Sequence, residues 1–218
     1  MKLTISALFL TAAVLSAQAD DLVPLHIKLP APAFIGTPSD LPVGTTVEKP
    51  TGKPRPPLMV PAGLSNVAAG KTVTSGSSNV SADDLRKITD GDKESRESSV
   101  VLLRKGPQWI QVDLGAPQSI YAIVFWHNHD APKVYHGIVV EVSDDPEFKK
   151  DVKVLFNNDQ ANLDGLGVGS DREYFETNEG KLIDAKGVKA RYVRLYSDGS
   201  TESKLNEYLE VEVYGRPA

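Results

Sequence analysis

The stretch Trp109-Ile110-Gln111-Val112-Asp113-Leu114 alternates apolar and polar residues without interruption. Successive side chains of a β-strand point to opposite faces, so this pattern predicts a strand that buries Ile110, Val112 and Leu114 on one face. Gly115 follows directly and ends the pattern. The stretch therefore indicates β structure with one face against a core and the other toward solvent.

Similar patterns recur on both sides of this stretch. No window between residues 66 and 218 has the 3.6-residue period of a full helix, although 83–87 could form one turn. Short strands separated by Gly, Pro, Asn and Asp clusters predict a β-sandwich or barrel, and about 150 residues are enough to bury a two-sheet core. The further strands expected are 71–74, 121–126, 138–143, 152–156, 191–196 and 209–214.

The N-terminus has the pattern of an export signal. Lys2 precedes an apolar run from Leu3 to Leu15, and the small residues Ala17 and Ala19 follow. The apolar run is of signal-peptide length and too short to span a bilayer comfortably. We therefore expect cleavage after residue 19 and a secreted protein, periplasmic or extracellular, without a membrane span.

Residues 20–65 form a proline-rich segment that holds ten of the fifteen prolines in the chain. Proline fixes φ and removes a backbone donor, so an extended conformation is expected. Apolar residues such as Leu25, Ile27 and Phe34 are too numerous for a simple spacer. The segment either lies along the following domain, residues 66–218, as an extended strap, which we favour, or docks on a secreted or cell-surface protein.

Composition restricts the classes of function. A formal net charge of -5 argues against nucleic acid or anionic membrane as the main partner. The absence of cysteine excludes disulfides, a thiol nucleophile and a lipoprotein anchor. No Gly-x-Ser-x-Gly, His-Glu-x-x-His or phosphate-binding glycine loop is present, so we expect a protein that is not an enzyme.

An acidic turn within Lys87–Arg96 has the composition of a calcium-binding loop. Gly91 allows a sharp turn, and the neighbouring side chains and freed carbonyls offer the hard oxygens that calcium prefers. Glu210 lies on the last expected strand, which could bring it back to the loop. The alternative is an ordinary solvated turn. The oxygen-bearing side chains of the loop are Asp90, Asp92, Glu94 and Ser95.

Three of the four histidines, His127, His129 and His136, fall within ten residues. His127 and His129 would share one face of a continuing strand. A transition-metal site could use them, completed by Asp130 or His136. A sugar site could use them as hydrogen-bond partners, with Trp126 or Tyr135 as the stacking surface. They could also simply bond locally at a strand end.

The stretch from residue 157 to 180 is rich in turn formers and acidic residues and predicts a long loop. Its spacing is not that of an EF-hand. It could hold a second cation, but an ordered surface loop is the favoured interpretation. Asn206 and Tyr208, just before the last strand, belong to another loop that could contribute to binding.

The order of several short motifs resembles the discoidin family, also called the coagulation factor 5/8 type C domain, whose bacterial members include galactose-binding-like carbohydrate-binding modules. The resemblance covers about residues 66–216 and excludes the proline-rich segment. The motifs are 66–75 (Asn-Val-Ala-Ala-Gly-Lys-Thr-Val-Thr-Ser), 89–92 (Thr-Asp-Gly-Asp), 109–115 (Trp-Ile-Gln-Val-Asp-Leu-Gly), 140–145 (Val-Glu-Val-Ser-Asp-Asp), 190–196 (Ala-Arg-Tyr-Val-Arg-Leu-Tyr) and 210–215 (Glu-Val-Glu-Val-Tyr-Gly).

This resemblance implies an all-β, eight-stranded jelly-roll sandwich with a structural calcium held by Asp90, Asp92, Ser95 and Glu210. Family members often carry an aromatic residue shortly after the Ser or Thr, whereas Arg96-Glu97-Ser98 stands here, so the packing of the loop could differ. The resemblance also implies carbohydrate binding in loops at one end of the sandwich.

Together these observations predict a secreted, non-catalytic module that binds carbohydrate. The alternatives are a protein-interaction or adhesion module that docks through the sandwich and the strap and, less favoured, a metal-dependent enzyme built on the histidines. The candidate ligand-binding residues are Trp126, His127, His129, Asp130, Tyr135, His136, Asn206 and Tyr208.

Overall fold

The computed structural model describes residues 21–34 and 46–218, and the expected signal peptide at residues 1–19 lies outside them. Strands make up almost all of the regular structure. The strands are β1 (Leu22–Pro24), β2 (Met59–Pro61), β3 (Ser65–Asn66), β4 (Thr72–Ser75), β5 (Val101–Lys105), β6 (Gln108–His127), β7 (Lys133–Val134), β8 (Val139–Ser143), β9 (Lys153–Asn157), β10 (Phe175–Glu176), β11 (Lys181–Ser197) and β12 (Leu205–Pro217).

One short helix, α1 (Ala82–Leu85), precedes a 3₁₀ turn over Arg86–Thr89. Ser81 caps the helix because its hydroxyl accepts the backbone N–H of Asp84 at 3.1 Å. This element matches the single helical turn expected near 83–87. Among the described residues, no helix is long and apolar enough to cross a membrane.

Eight strands of the described chain form one antiparallel sheet in the order β3-β12-β6-β11-β8-β9, with β4 on β6 and β5 on β12. The long strands β6 and β11 pair along most of their length, with register shifts in the middle of β11. Gly115 lies at the corresponding point of β6 with φ of 85°. Its N–H donates to Asp113 Oδ1 at 2.8 Å. Such irregularities let a strand bend from one layer to the next.

The two halves of this sheet face each other across a single core. The first half of β6 pairs with β4 and buries Ile110 and Val112, whereas its second half pairs with β12 and buries Ile123 and Phe125. All four side chains belong to the same apolar cluster. Burying each contributes roughly 1.5–3 kcal/mol. The expected eight-stranded sandwich is therefore confirmed.

The sheet differs from the sequence prediction in several places, and β3 and the first half of β11, residues 181–190, were not expected as strands. The strands expected at 109–114 and 121–126 are the two halves of the single strand β6, because the bend between them does not interrupt pairing. Strand β5 was not predicted. It buries Val101 and Leu103 and exposes Leu102, but three consecutive apolar residues hide this alternation in the sequence.

The described part of the strap, residues 21–34 and 46–65, contacts the sandwich at several points. Strands β1 and β2 pair with each other in antiparallel fashion. The backbone N–H of Glu48 donates to the Glu173 carbonyl at 2.7 Å, and Asn178 Nδ2 donates to the Pro30 carbonyl at 3.1 Å. The described strap is therefore tied to the surface around β10 and the start of β11.

Candidate functional site

The acidic loop that begins at Asp90 is closed by the last strand. Gly91 takes φ of 89°, and its N–H donates to Glu210 Oε2 at 3.1 Å. Within the loop, the N–H of Asp92 donates to Asp90 Oδ1 at 2.8 Å, and the N–H of Glu94 donates to Asp92 Oδ1 at 3.1 Å. The structure thus brings Asp90, Asp92 and Glu210 to one place.

Glu210 carries the strongest indication of a cation. Its side chain is 0% exposed, and Oε1 has no hydrogen-bond partner. Burial raises the pKa of Glu210 to about 8, and the charges of Glu212 and Asp90 act in the same direction. A buried carboxylate oxygen without a partner is costly, and a hard cation beside the loop would satisfy it.

The other implied ligands fit a calcium ion less completely. The Ser95 hydroxyl donates to Asn128 Oδ1 and accepts the N–H of His129, so it is already bonded. In the part of the chain that the structure describes, no group of three or more His, Cys, Asp or Glu side chains is arranged to hold a metal. Calcium at this loop would therefore need backbone carbonyls besides Asp90, Asp92 and Glu210.

Lys93 is a buried cation that the sequence reasoning missed. Its ammonium group pairs with Glu212 on β12, and both side chains are less than a tenth exposed. The same group lies 4.6 Å from the centroid of the Trp126 ring. Lys93 therefore anchors the acidic loop to the sandwich. A single lysine between acidic residues was the available sequence signal.

His127 belongs to the core rather than to the surface. Its ring stacks on Tyr135 at a centroid distance of 4.3 Å and lies 4.6 Å from Tyr208. Its Nδ1 is 3.1 Å from Glu176 Oε2. His127 Nε2 and Glu176 Oε1 are buried without partners. The pairing of Glu176 with His127 could not be predicted from the sequence, because the two residues are 49 positions apart and no motif connects them.

His129 faces a different part of the structure. Its Nε2 is 3.0 Å from the carbonyl oxygen of Lys93, whereas His127 is directed toward Glu176. The two histidines, expected to share one face and one ligand, are therefore separated by their partners. Each histidine bonds to a partner that is distant in the sequence, 49 residues away for His127 and 36 for His129.

Asn206 links two neighbouring chain connections, the one after β11 and the one after β5, from inside the protein. Its Oδ1 accepts the Ser197 hydroxyl and the Gly199 N–H, and its Nδ2 donates to the carbonyls of Arg104 and Gly106. Six of the eight expected ligand contacts have this inward placement, which gives a ligand at the surface no access to them. The six buried residues are Trp126, His127, His129, Tyr135, Asn206 and Tyr208.

Asp130 and His136 are the two expected contacts that reach the surface. The Asp130 side chain is 52% exposed and pairs with Lys133 at 2.7 Å. The His136 side chain is 38% exposed, and its Nδ1 is 2.7 Å from Glu173 Oε1. Because Glu173 also bonds to the strap at Glu48, His136 lies next to the strap.

A groove of about 540 Å³ lies between the strap and the sandwich. Its wall is strap residues 32–34 and 48–56, and its floor is residues 174–182. Arg55 fixes the wall, because its guanidinium donates to the carbonyls of Glu179 and Gly180 at 3.0 and 2.8 Å. No sequence motif indicated this groove, since its two sides are far apart in the chain.

Comparison with known proteins places the chain in a family. A family model described as F5/F8 type C, NedA-like, galactose-binding domain matches residues 87–195, which is half of the chain. No curated protein matches this chain.

Several solved structures that share 18–21% sequence identity with this chain are similar to it. A family 89 glycoside hydrolase from Clostridium perfringens has a TM-score of 0.49 at 18% identity, over 70% of this chain and only 15% of that chain. A chitosan-binding module from a chitosanase/glucanase of Paenibacillus sp. IK-5 has a TM-score of 0.45 at 20% identity, and the match covers 69% of this chain and 99% of that module. A fucose binding module from Streptococcus pneumoniae has a TM-score of 0.45 at 21% identity, and the match covers 69% of this chain and 98% of that module. By the family match, this chain belongs to the F5/F8 type C family of galactose-binding-like domains.

Proposed function

We propose that this protein is a secreted, non-catalytic module that binds carbohydrate. The observation that carries the proposal is the match of residues 87–195 to a family described as a galactose-binding domain. The module would be residues 66–218, with the strap tied to its surface. The lack of a recognisable catalytic motif in the sequence supports the non-catalytic role. The export pattern at residues 1–19 supports secretion.

The sugar would bind at loops at one end of the sandwich. Of the expected contacts, His136 and Asp130 are accessible there, and His136 carries a carboxylate partner, Glu173. Sugar hydroxyls are matched by such polar groups on preformed loops. The six buried residues would support these loops, because Tyr135 OH bonds to the Asn128 carbonyl and Asn206 bonds to the carbonyls of Arg104 and Gly106 at the end of β5.

Calcium is proposed as a structural ion of the same module. The buried, unpartnered oxygen of Glu210 supports this, together with the turn of Asp90 and Asp92 beside it. The ion would neutralise the carboxylates and hold the acidic loop against β12. It would supply folding energy rather than contact the sugar.

A protein-docking role is the second candidate, and one observation favours it. The strap exposes apolar side chains: Leu22 is 60% and Met59 is 49% exposed. Exposed apolar groups of this kind mark interaction surfaces when they are contiguous. This candidate predicts a partner that co-purifies with the protein only when residues 20–65 are present.

A glycan array with residues 20–218, run once with calcium and once with a chelator, tests the proposed function. We expect binding to at least one glycan, weakened by His136→Ala. The matched control is His26→Ala, which removes an exposed imidazole from the strap. A folded protein that binds no glycan in either condition would contradict carbohydrate binding and favour the docking role.

A further inference from the structure

We propose that the groove between the strap and the sandwich binds a carboxylated oligosaccharide, one built from uronic acid units. The inference rests on the carbohydrate-binding function proposed above and adds a second site, with its own ligand class, to the one at His136 and Asp130. It concerns a surface that the strap helps to build, with a wall made of strap residues 32–34 and 48–56.

The groove is preformed because its wall is fastened on both sides of the arch formed by residues 49–54. On one side, the Glu48 N–H donates to the Glu173 carbonyl at 2.7 Å, and Lys181 Nζ lies 3.5 Å from Glu48 Oε1. On the other side, the backbone N–H of Arg55 donates to the Glu179 carboxylate at 3.1 Å. A volume of about 540 Å³ lies within the range of small-molecule sites, about 300–1,000 Å³.

The lining combines apolar rings with polar groups. Tyr174 forms part of the floor, and its hydroxyl is buried without a hydrogen-bond partner. The ammonium group of Lys181 lies 4.5 Å from the centroid of the Tyr174 ring. Phe34 and Phe175 are half-buried at the groove. Half-exposed rings of this kind cover the apolar face of a pyranose, and nearby polar groups bond to its hydroxyls.

The charges of the lining select an anionic ligand. Two basic groups already have carboxylate neighbours: Lys181 pairs with Glu48, and Arg55 bonds to Glu179. Lys49 and Lys53 are exposed at the groove, and neither pairs with a carboxylate among the described residues. The lining therefore has a local excess of two positive charges on a protein whose formal net charge is -5. It would attract carboxylates and disfavour cationic sugars.

Calorimetric titration of residues 20–218 with three ligands tests this inference. The ligands are a tetrasaccharide of a hexuronic acid, the neutral tetrasaccharide of the corresponding hexose, and tetraglutamate. We expect the uronate to bind best and its affinity to fall as salt is added. The double variant Lys49→Ala, Lys53→Ala should lose about tenfold in affinity for the uronate and change little toward the neutral sugar.

The control is Lys149→Ala, Lys150→Ala, which removes two exposed lysines from a turn outside the groove lining. Thermal melts of both variants should match the wild type, because all four lysines are exposed. If the wild type binds sugars but the groove variant binds the uronate as the wild type does, this inference fails while the proposed function stands. Tetraglutamate binding as tight as uronate binding would also overturn it. Binding of neither tetrasaccharide would overturn this inference, whereas the proposed function would still be decided by the glycan array.

Discussion

Glu210 illustrates how a single carboxylate links the acidic loop to the last strand. One of its oxygens accepts the Gly91 N–H, and the other has no partner in the interior. Without a cation, burial favours the protonated form, and metal binding must release that proton. Its position could be anticipated from the sequence motif, but the bonded state of Ser95 could not, since Asn128 and His129 lie more than thirty residues away.

The substitution Glu210→Gln should abolish the stabilisation by calcium. The amide keeps an oxygen for Gly91 and cannot become an anionic ligand, so the melting temperature in chelator should change little. We expect calcium to raise the melting temperature of the wild type and of the exposed control Glu202→Gln, but not of Glu210→Gln. Differential scanning calorimetry with calcium and with chelator measures this. An equal calcium shift in all three proteins would remove Glu210 from the ion site.

Asp164, in the loop after β9, should make stability depend on pH. Both of its carboxyl oxygens are buried without partners. Burial, with the charges of Asp159, Asp198 and Glu141, raises its pKa from the ordinary 3.8 to about 7. The folded state therefore holds the proton more tightly than the unfolded state, and this contribution is lost as pH rises from about 4 to about 7.

We expect Asp164→Asn to be more stable than the wild type at pH 8, by on the order of 2 kcal/mol, because partial exposure screens some of the repulsion. At pH 4 the two proteins should be nearly equal. Urea unfolding at both pH values measures the difference, with the exposed Asp144→Asn as control. A variant less stable than the wild type at pH 8 would show that the Asp164 carboxylate has a stabilising partner, such as a bound cation.

Strand β6 shows which parts of an element can be read from the sequence. The alternation of Ile110, Val112 and Leu114 predicted the buried face, and all three are buried. The burial of His127 at the end of the strand could not be predicted, because its partners Glu176 and Tyr208 lie on β10 and β12. Polar residues at a strand end have the same pattern whether they face solvent or a buried partner.

Replacement of His127 should therefore affect stability before it affects binding. The substitution His127→Ala removes a ring stacked on Tyr135 and leaves Glu176 buried without its histidine. We expect a loss of about 2–4 kcal/mol in the free energy of unfolding. The control His26→Ala, which removes an exposed imidazole from the strap, should lose less than about 0.5 kcal/mol. Urea denaturation measures both, and a loss of glycan affinity by His127→Ala at unchanged stability would restore its role as a ligand contact.

At the scale of the whole molecule, the strap is held to the sandwich by hydrogen bonds around the arch and by Ile27, which packs against the cluster of Val124, Trp126 and Leu209. Arg55 supplies bonds to Glu179 and Gly180 on one side of the arch, and Glu48 bonds to Glu173 on the other. The proline content of the segment predicted its extended form. The contact points could not be foreseen, because they are single side chains without a motif.

Loss of Arg55 should loosen the strap while the sandwich stays folded. In Arg55→Ala, endoproteinase Glu-C should cleave the Glu48–Lys49 bond at the edge of the arch several-fold faster, since the arch is then fixed on one side only. The melting temperature should fall by no more than a few degrees. The control Arg104→Ala removes an exposed arginine from β5. Equal cleavage rates in the wild type and both variants, followed by gel electrophoresis, would show that Arg55 does not restrain the arch.

The position of β12 in the sheet has a consequence for how the chain acquires its fold. This strand, the last along the sequence described here, lies between β3 and β6 and also pairs with β5. Before Leu205–Pro217 has been synthesised, Phe125 and its neighbours on β6 lack one of their two flanking strands. Pairing between such distant segments makes folding slow. The growing polypeptide should therefore remain without a closed core until nearly all of residues 66–217 have left the ribosome. In this unfolded state chaperones can bind it, and it can pass through a narrow translocation pore without first being unfolded.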